Sequence, residues 1–174
     1  MTPTRFAAQL NEQVGHELAA HNQYLACAVH YDALTMPRMA AFFYAQALEE
    51  RQHAMMMVRY LLDTDAEVAI PALPAPRSSF ADVVAPIALA LEQEKQVTRQ
   101  INALVRTARD EDDYAAEQFL QWFVKEQVEE VATMSDLLAV ATRNASDVDD
   151  IEDWVAREQT AEGADPTAPP AAGA

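Results

Sequence analysis

Apolar residues recur at spacings of three and four along most of this chain. Residues at those spacings share one face of a helix, so the pattern predicts amphipathic helices. It runs through residues 5–34, 38–65, a third segment that starts between 81 and 86 and ends near 110, and residues 113–144. At about 1.5 Å per residue each helix would be roughly 40 Å long, which exceeds the usual helix of a globular protein. Long helices of matched length predict an all-α four-helix bundle.

Two of the connections between these segments are short and one is long. The turns at residues 35–37 and 110–112 are too short to span a bundle, so the helices on either side of each are expected to be antiparallel neighbours. Residues 66–79 contain three prolines and are expected to cross over in an extended form. Such a crossover lets the second and third helices run parallel, which predicts the ferritin-like topology with one long crossover.

The last part of the chain differs from the long segments. Residues 147–158 predict a short fifth helix, with Ile151, Trp154 and Val155 on one apolar face. Residues 160–174 are rich in Ala, Pro and Gly and lack the apolar content for packing, so we expect a disordered tail. The predicted bundle domain therefore covers residues 1–159.

Composition narrows the expected partners and location. The 174 residues suffice for one domain, and the net charge of -16 disfavours nucleic acid as a partner and favours cations. No uncharged apolar run is long enough to cross a membrane, and residues 1–10 lack the pattern of a signal peptide. The single cysteine, Cys27, excludes an intrachain disulfide. We therefore expect a cytoplasmic protein without a membrane partner.

An acidic residue interrupts each apolar stripe near its midpoint. Glu50 and His53, three residues apart on one face of the second helix, are the clearest case. Because the midpoints of antiparallel helices meet at one level, one core layer is predicted to contain Glu17, Glu50, His53, Glu94, Gln127 and Glu130. The stripes hold no Lys or Arg, and buried carboxylates without a counter-charge are unstable. The layer therefore predicts a bound metal.

The chemistry of these side chains narrows the choice of metal. Carboxylates with one imidazole suit iron or manganese better than tetrahedral zinc, which prefers Cys and His. A Glu-x-x-His pair, here Glu50 and His53, forms half of the di-iron or di-manganese site in some four-helix bundles. We therefore predict a dinuclear metal site.

The chain resembles the non-haem bacterial ferritins over about residues 5–158, most specifically in the motifs EERQH at 49–53 and QWFVKEQVEE at 121–130. The resemblance implies that two irons are held by Glu17, Glu50, His53, Glu94 and Glu130, with Gln127 beside them. Glu50 would bridge the two irons. Tyr24 lies two helical turns beyond Glu17 on the same face, where it is a candidate to hydrogen-bond a ligand or donate an electron, and plain packing is the favoured alternative.

The resemblance also implies features outside the di-iron centre. Glu49, Glu126 and Glu129 would form a third iron site together with Glu130. Members of the family assemble as hollow cages of 24 subunits, so we expect a homo-oligomer. By position in the family pattern, Glu117 and Gln121 would face a channel through which iron enters the cage.

The fourth helix departs from the symmetric pattern of bacterioferritins and many di-iron enzymes. It offers Gln127-x-x-Glu130 where those proteins have Glu-x-x-His, so the second metal loses an imidazole. A poorer second site should release ferric product, which favours storage over a permanent cofactor. The methionine that binds haem in bacterioferritins is matched here by Arg51, so no haem is expected.

The expected reaction is oxidation of two Fe(II) ions by dioxygen or peroxide at this ferroxidase centre, followed by storage as a ferric mineral inside the cage. One alternative is a di-iron oxygenase or peroxidase that keeps its metals and forms no mineral. Another is a structural subunit without a working centre, although such subunits lack the ligand set that is complete here.

Overall fold

The computed structural model describes residues 4–158 and 165–173. Its helices are α1 Arg5–Ala33, α2 Pro37–Asp63, α3 Ala85–Asp110, α4 Tyr114–Arg143 and α5 Val148–Glu158. No strand occurs in the described ranges. These elements confirm the predicted all-α bundle of four long helices with a short fifth helix. The observed helix ends lie close to the predicted ones because prolines and acidic turn residues mark most of them.

The long connection between α2 and α3 lies along the whole of α1. The Asn11 side chain donates to the carbonyl of Glu67 and accepts from the N–H of Ala69, both at 2.8 Å. Further along α1, the Gln23 side chain donates to the carbonyl of Arg77 and accepts from its N–H, again both at 2.8 Å. The connection thus returns from one end of the bundle to the other, and α2 and α3 run parallel as predicted.

Gly15 lets the connection approach α1 closely. A Cβ atom at this position would lie 2.6 Å from Cγ of Pro71, which is closer than non-bonded carbon atoms come. Nearer the end of the connection, the Tyr31 hydroxyl donates to the carbonyl of Val83 at 2.6 Å. The crossover is therefore held by α1 on both sides of its midpoint.

The short helix α5 closes one end of the bundle. Ile151 and Val155 are buried in the core. The Glu152 carboxylate accepts hydrogen bonds from the backbone N–H groups of Arg38 and Met39 at 2.9 and 2.8 Å. The first N–H groups of a helix have no partner within the helix, so Glu152 caps α2. Its negative charge also interacts favourably with the dipole of that helix.

The hydrophobic core forms two clusters separated by polar residues. One cluster includes, from α1 to α4 in turn, Val14, Ala54, Val97 and Phe123. The other includes Tyr24, Ala47, Leu91 and Met134. Along each helix the residues of the predicted metal layer fall between these two sets of positions. We call these six residues the polar layer: Glu17, Glu50, His53, Glu94, Gln127 and Glu130.

The described part of the tail, residues 165–173, lies against the bundle. The N–H of Ala172 donates to the carbonyl of Met55 at 3.0 Å, and the Trp122 indole donates to Asp165 at 3.1 Å. Alanines of this segment also pack against the hydrophobic core. Alanine side chains are too small to form a separate core, but they can pack against the core that the bundle provides. The rest of the tail lies outside the described residues.

Within the described ranges, no helix combines the length and apolar character that crossing a membrane requires.

Candidate metal centre

All six residues of the polar layer are buried, with exposures of 1% for Glu17, Glu50 and Glu94, 5% for His53 and Gln127, and 6% for Glu130. Each long helix contributes at least one of them. The sequence therefore identified the position of every one of these side chains in the core. What the sequence did not show is how they pair with one another.

Glu17, Glu50 and His53 form a compact group, which we call the open half of the layer. One ligand atom of each lies within 4.8 Å of the others. Oε1 of Glu50 is 3.7 Å from Nδ1 of His53. Oε2 of Glu17 and Oε2 of Glu50 are buried, and no described residue other than these two carboxyl groups themselves donates a hydrogen bond to either oxygen. Leaving such atoms unpaired is costly, and a cation placed between them would remove the cost.

Glu94 belongs to a different arrangement, which we call the closed half together with Gln127 and Glu130. The Tyr24 hydroxyl donates to Oε1 of Glu94, and Nε2 of Gln127 donates to Oε2 of Glu94 at 2.9 Å. Among the described residues, only the open half brings three acidic or His ligand atoms this close together. In the closed half the protein itself therefore supplies a donor to each oxygen of Glu94.

Burial governs the ionisation of the layer. It raises the pKa of Glu50 well above the ordinary value, and the charges of Glu94, Glu17 and Glu130 add to the effect. Burial also raises the pKa of Glu94 to about 7, against the opposing effect of the Tyr24 hydrogen bond. The metal-free layer thus retains protons that a divalent cation would displace.

The same buried environment shifts the pKa values of His53 and Tyr24. Burial lowers the pKa of His53, although the Glu17 carboxylate opposes this, so the imidazole is held in the neutral form that binds metals. Burial and the neighbouring Glu94 and Glu50 raise the pKa of Tyr24 well above its ordinary value. The phenol therefore stays protonated and remains a hydrogen-bond donor to Glu94.

Two further residues support the open half, and the sequence reasoning gave neither a role. The ring of Trp122 packs edge-on against His53 with centroids 5.6 Å apart. Gln13 donates from Nε2 to Oε1 of Glu17 at 2.8 Å. A signal for Gln13 was present, because an amide one helical turn before a buried acid shares its face.

Three of the carboxylates proposed for a third iron site lie at half-buried or exposed positions. Glu49 is half-buried and accepts a hydrogen bond from Gln46. Glu129 is exposed, 3.6 Å from the ammonium group of Lys125, and Glu126 is half-buried. The third site therefore stays a prediction.

The two residues suggested for an iron channel lie at the surface of the subunit. Glu117 accepts a hydrogen bond from Nε of Arg109 at 2.8 Å, and a second guanidinium nitrogen lies 2.7 Å from the same oxygen. Gln121 is exposed one turn further along α4. Since Arg109 offsets the charge of Glu117, this pair attracts cations less than an unpaired carboxylate would.

Comparison with known proteins agrees with this geometry. A family model described as the ferritin-like domain matches residues 7–144. Ferritin BfrB of Mycolicibacterium smegmatis is 54% identical over 170 residues, which cover 98% of this chain and 94% of that protein. The bacterial non-heme ferritin of Staphylococcus aureus is 37% identical over 138 residues, covering 79% of this chain and 83% of that protein.

A likeness to solved structures points the same way. The open pore ferritin of the archaeon Archaeoglobus fulgidus superposes with a TM-score of 0.87 at 27% identity, covering 93% of this chain and 100% of that one. The match therefore extends from the sequence to the arrangement of the helices. The chain belongs to the ferritin family, among the bacterial ferritins.

Proposed function

We propose that this ferritin oxidises pairs of Fe(II) ions in the polar layer and stores the ferric product as a mineral inside a hollow homo-oligomeric cage of 24 subunits. One observation supports the proposal above all others. Two buried carboxylate oxygens without hydrogen-bond donors stand beside a neutral imidazole in the open half. Iron is the substrate and cargo of this site rather than a permanent cofactor.

The open half would bind the first Fe(II). Oε2 of Glu17, Oε2 of Glu50 and a ring nitrogen of His53 are suitable ligands, because iron accepts both carboxylate and imidazole. Binding would displace the proton from Glu50. The anionic ligands would also favour Fe(III) over Fe(II), since they stabilise the higher charge.

The closed half would bind the second Fe(II) through Glu94 and Glu130, with Glu50 as the bridge. Glu94 would have to share its oxygens with the metal, because Tyr24 already donates to Oε1 and Gln127 already donates to Oε2. A carboxylate oxygen has more than one lone pair, so the Tyr24 hydrogen bond can persist when the metal binds. The second iron should therefore bind more weakly than the first and leave more readily after oxidation.

The reaction balances without a further reductant. Each Fe(II) gives up one electron, and the two electrons with two protons convert dioxygen to hydrogen peroxide, or hydrogen peroxide to two waters. The Fe(III) ions then leave the layer, and we propose that Glu49, Glu126 and Glu129 guide them towards the cavity.

Met55, Met56 and Met57 contribute to the hydrophobic core, and we expect no haem. A cytoplasmic location is part of the same proposal.

The test is aerobic addition of Fe(II) to the metal-free assembled protein, with the soluble iron retained per subunit counted as additions continue. Storage predicts retention far beyond the few irons that the proposed sites hold, with a growing ferric absorbance. The matched pair of variants is Glu50→Gln, which removes the bridging ligand, and Glu12→Gln, which changes an exposed carboxylate on α1. Only the first should slow oxidation.

Two other results would decide between the alternatives. Saturation at a few irons per subunit, with the excess precipitating, would contradict storage and favour a di-iron enzyme that keeps its metals. No retained iron and no faster oxygen consumption would leave a structural subunit.

A further inference from the structure

Gln13 touches the open half from outside the polar layer. It is 2% exposed and lies one helical turn before Glu17 on α1. Its Nε2 donates to Oε1 of Glu17 at 2.8 Å and to Oε1 of Gln100 on α3 at 3.2 Å. The donor in both contacts is the NH2 end of the Gln13 amide, and the two side-chain oxygens accept. The amide is therefore fixed between two helices with both of its N–H groups in use.

This contact distinguishes the two oxygens of Glu17. Oε1 accepts from Gln13, whereas Oε2 is buried without a donor among the described residues. The terminal torsion of a glutamate is soft, so the carboxylate would rotate without an anchor. A rotated carboxylate could offer both oxygens to one metal. In the anchored carboxylate, Oε1 is held by Gln13 and Oε2 is left for a metal.

We propose that Gln13 is a positioning residue that holds Glu17 as a one-oxygen ligand and thereby sets the affinity and coordination of the first metal site. The inference rests on the proposed function, since it concerns how that site binds its metal. Hydrogen-bond partners that orient metal ligands typically change metal affinity by about 10–100-fold when they are removed. Gln13 has the burial and the direct contact that such a partner needs.

A purely structural role is the competing explanation, because Gln13 also ties α1 to α3. The chain provides a matched control for it. Gln9, one turn earlier on α1, accepts from the Thr107 hydroxyl of α3 at 2.7 Å. Gln9 thus ties the same two helices by a side-chain hydrogen bond and contacts no residue of the polar layer in this way. Replacing each glutamine by methionine removes the tie with little change in side-chain volume.

The experiment titrates Co(II), as the probe metal, into the metal-free assembled protein without oxygen. Visible d–d absorption reports coordination, and calorimetry reports affinity. Gln13→Met should weaken the first equivalent about tenfold and change the intensity of its spectrum, because Glu17 becomes free to bind through both oxygens. Gln9→Met should retain the wild-type affinity and spectrum even if its melting temperature falls by a similar amount.

Glu17→Ala separates the failure of this inference from the failure of the proposed function. If Glu17→Ala loses the first equivalent while Gln13→Met binds it with wild-type affinity and spectrum, Gln13 does not position the ligand. If Glu17→Ala binds Co(II) as the wild type does, the polar layer is not the metal site and the proposed function fails with it. Gln13→Leu repeats the test should Gln13→Met not assemble, and a wild-type spectrum there would equally overturn the inference.

Discussion

The open and closed halves of the polar layer contain similar side chains but satisfy them differently. In the open half, Glu17 and Glu50 each keep one oxygen without a donor. In the closed half, both oxygens of Glu94 accept hydrogen bonds, from Tyr24 and Gln127. A donor placed by the protein stabilises the metal-free state, whereas its absence leaves a cost that a proton, a cation or a bound water removes.

We propose that this difference allows one layer both to bind a metal and to release it. The open half has its ligand atoms together before any metal arrives, so little reorganisation opposes binding. The closed half must give up or share hydrogen bonds. We therefore expect the two metals to bind in order, with the open half first.

The largest effect is expected from Glu50→Gln. A neutral amide in place of the carboxylate that we propose as the bridge would remove an anionic ligand from both halves, so the first equivalent of Co(II) should no longer bind tightly. Calorimetry and d–d absorption of the metal-free protein measure it. A first equivalent that survives would mean that Glu50 does not bridge, and the exposed variant Glu12→Gln controls for general loss of charge.

Raising the pH should destabilise the metal-free protein through Glu94. Its pKa is about 7 in the folded state against an ordinary 4.5, so between these values the folded protein holds a proton that the unfolded chain has lost. Stability is then highest below the unfolded value and falls as pH rises towards 7, by about 3 kcal/mol for this group. Urea unfolding of wild type and Glu94→Gln at pH 5 and pH 7.5, at one protein concentration, measures it. An equal pH dependence in both proteins would contradict the prediction.

Gln127→His should make the closed half more like the open half. The imidazole replaces an amide that donates to Glu94, and it supplies the nitrogen ligand that the second metal lacks. We expect the second equivalent of Co(II) to bind about tenfold more tightly, in line with the effects of altering a ligand's surroundings. Release of stored iron to a reductant and chelator should slow. Unchanged binding of the second equivalent would show that this position faces no metal.

Tyr24→Phe should have the smallest effect. The ring and its edge-on contact with Phe43 remain, while the hydroxyl that donates to Glu94 is lost. We expect the metal-free protein to lose about 2 kcal/mol of stability, because a buried oxygen of Glu94 is left without its donor. Thermal unfolding measures it, with Tyr31→Phe as a control that removes a hydroxyl bonded to the crossover instead. A slower oxidation with normal Co(II) binding would add an electron-transfer role for Tyr24.

The sequence predicted the helices because their signals are local. Pro37 begins α2, and Asp113 caps α4 by accepting from the N–H of Ala116 at 2.9 Å. Placement of the polar layer was predictable for a related reason. A carboxylate in an apolar stripe, such as Glu94, is anomalous unless something in the core requires it.

The hydrogen bonds within the polar layer could not be predicted from the sequence. Whether Gln127 donates to Glu94 or binds a metal depends on rotamers at contacts between helices, which periodicity does not encode. The tail shows the same limit. Its composition indicated that it could not form a core of its own. The hydrogen bond from the Trp122 indole to Asp165 depends on the folded bundle, so it could not be predicted from the tail sequence.

The crossover has a consequence for solubility. An extended segment with open backbone groups is a template for pairing with another chain, and Ile70 within it is 60% exposed. Pro71, Pro74 and Pro76 have no backbone N–H to offer a foreign strand, and Asn11 and Gln23 occupy backbone groups on the inner side. The same prolines that carry the chain past α1 therefore also leave fewer N–H groups with which another strand could pair.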